Sequence, residues 1–95
     1  MKNLFSVNPV AGHKYAQAWE KTYDDGSVVL QSYATPVIEI NSESWLRVNG
    51  LYSMTTIKHI GWFMRELGLT YQLAKKLYLD GKEMNVLTGE VRDIA

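Results

Sequence analysis

The chain has no cysteine among its 95 residues, so disulfides and thiolate metal sites are excluded and packing must hold the fold. It has no net charge, because ten Lys and Arg balance ten Asp and Glu. Proteins that live on nucleic acid usually carry a clear basic excess, so neutrality speaks against wholesale electrostatic binding. No apolar run is long enough to span a membrane, and the opening MKNLFSVNPV has one lysine and no apolar stretch of signal-peptide type. Histidine is scarce: His13 and His59 stand alone, and neither has metal-ligand spacing to other donors. No internal repeat, low-complexity tract or glycine-rich phosphate loop is present. These absences predict no metal, no cofactor and no membrane association, in a protein compatible with a reducing cytoplasm.

What is present is an ordinary globular balance, 46% hydrophobic and 21% charged, enough for one core. The charge is unevenly spread. Residues 54–82 hold Lys58, Arg65, Lys75, Lys76 and Lys82 against Glu66 and Asp80, and are the only basic part.

The first half reads as strands. His13–Tyr33 has the pattern of a β-hairpin around Asp24-Asp25-Gly26, since glycine supplies the positive φ of a tight turn. A two-residue loop would pair Tyr23 with Val28, and a three-residue loop would flip that pairing; the pattern leaves both open. Thr35-Pro36 interrupts the second strand, because proline lacks the N–H of a central ladder and marks an edge, bulge or bend. A second hairpin joins Val37–Ile40 to Trp45–Val48. Pairing Asn41 with Trp45 sets Ile38 and Ile40 beside Val48 and Leu46, with Glu39 opposite Arg47. A one-residue slip would mix Arg47 with the isoleucines, so this register is expected.

The second half reads as helices. Ser53, Thr55 or Thr56 can cap a first helix whose stripe is Ile57, Ile60, Gly61, Met64 and Leu67, with Phe63 at its margin. Gly68 ends it. Thr70 caps a second helix, with Leu73, Ala74, Leu77 and Tyr78 inward, stopped by Asp80-Gly81. Strands first and helices last predict an α+β fold: an antiparallel sheet of about four strands, from two hairpins, followed by two helices packed on one face. The chain should be a single domain over residues 1–95, with 1–12 as an N-terminal arm. Residues 82–95 form a tail that is either loose or adds a short strand.

Four groups of residues invite a functional reading. On the outer face of the first helix, His59, Trp62 and Glu66, flanked by Lys58 and Arg65, form an aromatic set among charges, the composition of an interface anchor. The two helices also resemble a helix-turn-helix, which would offer Tyr71, Gln72, Lys75 and Lys76 to a DNA groove. Against it stand the neutral charge, the short second helix and Met64, where a close helix crossing needs a small residue. The helix start Ser53, Thr55, Thr56 and Lys58 could hold an anion on free N–H groups. Trp19, Tyr15, Tyr23 and Tyr33 on the strands are either core or stacking platforms for single-stranded nucleic acid. No catalytic constellation is visible. Ser53 and His59 are too far apart for a nucleophile–base pair, and Asp24-Asp25 is turn chemistry. The chain is therefore not expected to be an enzyme.

The run Ser32-Tyr33-Ala34-Thr35-Pro36-Val37, followed by Tyr52-Ser53-Met54-Thr55-Thr56-Ile57-Lys58-His59-Ile60, is similar to a family of small proteins from bacteriophages and mobile elements of Gram-positive bacteria. The likeness covers about Ser32–Leu67 and brings no assigned activity with it. It implies a cytoplasmic setting in a bacterial host and a non-catalytic accessory role. The expected partner is a host protein or ribonucleoprotein complex, including a CRISPR nuclease that such a protein would inhibit. The alternative expectation is a helix-turn-helix-like DNA-binding regulator.

Overall fold

The computed structural model describes residues 2–94. The strands are β1 Leu4–Pro9, β2 Ala18–Tyr23, β3 Val28–Ser32, β4 Thr35–Ile40, β5 Trp45–Val48, β6 Lys82–Asn85 and β7 Val91–Asp93. The helices α1 Met54–Glu66 and α2 Tyr71–Asp80 lie between β5 and β6, and a short 3-10 turn, Val10–Gly12, follows β1. All strands join one antiparallel sheet in sequence order, so β5 and β6 are neighbours and the helical pair is their connection. The α+β class and the two helices are as expected. Among the described residues the sheet, however, has seven strands, not about four.

The extra strands come from the two ends. The expected N-terminal arm is β1, paired along β2 from Leu4↔Tyr23 to Pro9↔Trp19. The expected tail supplies two strands, β6 against β5 and β7 against β6. Met1 and Ala95, the outermost residues of that arm and tail, lie outside the described residues.

The turns explain the registers. Thr22 faces Val28 and Lys21 faces Val29, with Tyr23 N–H donating to Ser27 O at 2.9 Å. This leaves Asp24-Asp25-Gly26 as a three-residue loop, with Gly26 at φ 88 in the glycine-favoured region. Ser27 N–H and Oγ both donate to the Asp25 carboxylate, at 2.8 and 2.6 Å, and these bonds hold its pKa below the usual range. The second hairpin has the expected register: Ile38↔Val48, Glu39↔Arg47 and Ile40↔Leu46. Pro36 sits in β4 beside a register shift, where Val37 is the extra residue and is fully buried.

Both helices cover one face. Leu30, Ile38, Ile40, Leu46, Val48 and Met84 of the sheet pack with Ile60, Phe63, Met64, Ala74 and Leu77. Each of these buried side chains larger than alanine stabilises the fold by roughly 1.5–3 kcal/mol. Ser53 caps α1 by accepting from Thr56 N–H, and Thr70 caps α2 by accepting from Leu73 N–H. Gly68, at φ 76, closes α1: its N–H donates to Arg65 O at 2.9 Å while Leu69 N–H donates to Met64 O at 2.8 Å. These two bonds satisfy carbonyls the helix end would otherwise leave open.

The helix that positions the candidate site is rotated from the expected stripe. Its buried residues are Thr56, His59, Ile60, Phe63 and Met64, whereas Ile57 is half-buried and Leu67 is exposed. The turn of α1 toward β3 lets Ser32 accommodate the polar side chains that enter the core. In α2, Ala74 and Leu77 are buried, but Tyr78 is outward. No helix among the described residues is long and apolar enough to cross a membrane.

Candidate functional site: an aromatic surface around Trp62

His59 is not on an outer face; it is 2% exposed. Its Nδ1 shares a hydrogen bond of 2.8 Å with Ser32 Oγ. Ser32 Oγ lies 3.2 Å from Thr56 Oγ1, which lies 3.2 Å from Ser53 Oγ. A chain of hydroxyls thus runs from the cap of α1 to the imidazole, and among the described residues no buried side-chain N or O lacks a partner. Burial disfavours the charged imidazole, and Lys58 adds to this, so the His59 pKa lies below the ordinary histidine value. The serine beside His59 is Ser32, far away in sequence, and not Ser53.

Trp62 is half-buried, and its ring neighbours both of the chain's histidines. His13, from the loop after the 3-10 turn, stacks on the indole with centroids 3.9 Å apart and planes 13° from parallel. The His59 ring is tilted at 5.6 Å from Trp62, and Tyr33 from the β3–β4 turn is tilted at 5.8 Å from His59. Four rings from three parts of the chain therefore form a continuous row. Beside it opens a pocket of about 520 Å³, lined by Gly12, His13, Lys14, Tyr15, Ala16 and Trp62. Tyr15 stands 97% exposed at this pocket.

Lys58 and Arg65 are exposed on α1, about one turn before and after Trp62. Glu66 is exposed at the end of α1 and hydrogen-bonds the Glu20 carboxyl of β2. Burial, this hydrogen bond and the Glu66 charge push the Glu20 pKa up to about 8. Near neutrality the Glu20 carboxyl therefore keeps its proton. Lys58, Arg65 and Glu66 are exposed on α1, whereas Trp62 is half-buried and packs partly against the core. Sequence reasoning had no local signal for His13, whose pairing with Trp62 is a long-range contact.

The other candidate sites are less well assembled. Tyr71, assigned to a DNA-reading face, packs instead against the core. Gln72, Lys75 and Lys76 are exposed, and Lys76 pairs with Asp80 at 3.2 Å. At the start of α1, Ser53 and Thr56 bond to each other and Thr56 is buried, leaving Thr55 and Lys58 exposed. The outer face of the sheet holds a second depression of about 320 Å³, bordered by Lys2, Asp25, Glu39, Trp45, Arg47 and Glu83. Among the described residues no group of three or more His, Asp or Glu could hold a metal ion.

Fold and site together define an α+β domain in which a sequential antiparallel sheet is covered by a helical hairpin that carries an aromatic surface at one side. The chain belongs to DUF8033, a family of unknown function, whose model matches residues 5–83, from β1 to the start of β6. Neither the curated proteins nor the solved structures contain a match to it.

Proposed function

We propose that the protein is a non-catalytic accessory protein that binds a macromolecular partner through the surface centred on Trp62. The observation that carries this reading is the His13–Trp62 stack beside an open pocket at which Tyr15 is almost fully exposed. Aromatic side chains presented among charges supply large contact area at low entropic cost, the usual composition of an interaction hot spot. The enclosure of Ser32 and His59 supports a binding role over hydrolysis, since both are 2% exposed and bonded into the hydroxyl chain. The likeness of Ser32–Leu67 to phage and mobile-element proteins suggests a bacterial host factor as partner, such as a CRISPR nuclease complex that the protein would inhibit. The helix-turn-helix reading is less favoured, because Tyr71 is packed inward and Lys76 is paired.

The test is affinity capture from a Gram-positive host lysate, with and without nuclease, using the native protein and a Trp62→Ala, Arg65→Ala double variant. The variant should keep its fold by circular dichroism and lose the partner. Retention of the partner by a folded double variant would remove the Trp62 surface from consideration.

A further inference from the structure

The pocket beside Trp62 has an unusual lining for a protein-docking groove. Its side chains are an indole, an imidazole, a phenol and a lysine, and its remaining residues are Gly12 and Ala16. Grooves that take an amphipathic helix present aliphatic and methionine side chains, and none borders this one. Flat rings are instead the surface on which nucleobases stack, whatever their sequence. His13 and Trp62 are already a near-parallel stack, and Tyr15 is almost fully exposed beside them.

The local charge agrees. Lys14 lines the pocket, and Lys58 and Arg65 flank Trp62 along α1. Among the described residues none of these three forms an ion pair, whereas Arg47, Lys76, Lys82 and Arg92 do. Glu66, at the end of α1, is engaged with the Glu20 carboxyl. Neutrality of the whole chain thus conceals a small basic region around the rings.

We infer that this surface binds unpaired nucleotides of a single-stranded nucleic acid, with bases stacked on Tyr15 and the His13–Trp62 pair and phosphates met by Lys14, Lys58 and Arg65. The inference rests on the Trp62 binding surface proposed above and names its partner. Three cations predict a shallow salt dependence, a slope near −2 in log K against log salt, from about 0.7 per phosphate contacted on a single strand. A duplex should bind more weakly, because its bases are already stacked on one another.

Fluorescence anisotropy with labelled single strands of about ten nucleotides, oligo-dT, oligo-dA and oligo-U, tests this against a duplex of equal length at about 20 and 150 mM salt. Single strands should bind at least tenfold more tightly than duplex. Tyr15→Ala, which removes a side chain that supports no packing, and Trp62→Phe should each alter binding, the first weakening it about tenfold. Lys14→Ala with Lys58→Ala should flatten the salt slope. Absence of binding at low salt, equal binding of duplex and single strand, or indifference to Tyr15→Ala and Trp62→Phe would each overturn the inference. If oligonucleotides fail while the Trp62→Ala, Arg65→Ala variant still loses a nuclease-resistant protein, the nucleotide inference falls and the Trp62 surface stands. If that variant also keeps every partner, both fall.

Discussion

Ser32 Oγ on β3 and His59 Nδ1 on α1 lie 2.8 Å apart, with both residues withdrawn from water. This bond ties the helix to the middle of the sheet and places Trp62, one turn further along α1, at the surface. A buried donor or acceptor deprived of its partner costs its full desolvation, so the pair matters more for what its loss exposes than for its net strength.

Ser32→Ala should therefore destabilise the protein by about 1–3 kcal/mol, measured by urea unfolding. The same substitution in a His59→Phe background should cost much less, since no polar partner is then stranded. Equal costs in both backgrounds would mean that the two side chains are not coupled.

Glu20 sets an alkaline limit. Its folded-state pKa of about 8 lies above the ordinary carboxyl value of 4.5, so the folded chain holds a proton that the unfolded chain releases. The stability this contributes is complete below about pH 4.5 and is lost as the pH rises to about 8. Glu20→Gln, whose amide N–H can donate to Glu66 with no titratable proton, should flatten this decline and raise the melting temperature at pH 8 relative to the native protein. A melting temperature equally pH-dependent in the variant would assign the decline to another group.

His59 acts in the opposite direction. Its pKa is lowered, so acidification below the ordinary histidine range of about 6.5 protonates the unfolded chain first and weakens the fold. A proton NMR titration should find the His59 ring neutral at pH values where free histidine is already charged.

Glu83 is a buried carboxylate on the outer face of the sheet, with Arg92 Nε at 2.7 Å from one oxygen and Arg47 Nε at 3.6 Å from the other. The Arg92 guanidinium also lies 3.7 Å over the Trp45 ring. Arg92→Ala should cost about 1–2 kcal/mol, less than the loss of a fully buried partner because Arg92 is half-exposed. Arg47→Ala, on the longer contact, should cost less, and chemical denaturation of the two variants gives the order.

Gly61 occupies the middle of α1 without a conformational need for glycine. A methyl group there would meet only Tyr71 Cβ at 3.9 Å, an ordinary contact. Gly61→Ala should stabilise the protein by about 0.5–1 kcal/mol by lowering the helix entropy cost. A loss of stability would show that the two helices pack more tightly at this crossing.

Local pattern alone determined much of this molecule. The order Ile38, Glu39, Ile40 and Leu46, Arg47, Val48 admits one register that keeps the charges on one face, and that register is found. Ser53, Thr70 and Gly68 mark helix ends because their caps involve residues within one turn. Lys58, Arg65 and Glu66 could be placed off the buried stripe of α1 because the helical period is local, whereas Trp62 packs partly against the core. Tertiary structure decided the rest. β1, β6 and β7 become strands only through their partners, so strand number was not legible in them. The rotation of α1 depended on Ser32, which makes burial of Thr56 and His59 tolerable by bonding to both. Trp62 stood out in the sequence as an aromatic left over from a helical stripe. Its stacking partner was set by the folded chain, which brings His13 onto the indole, because a ring contact between distant segments leaves no periodicity to read.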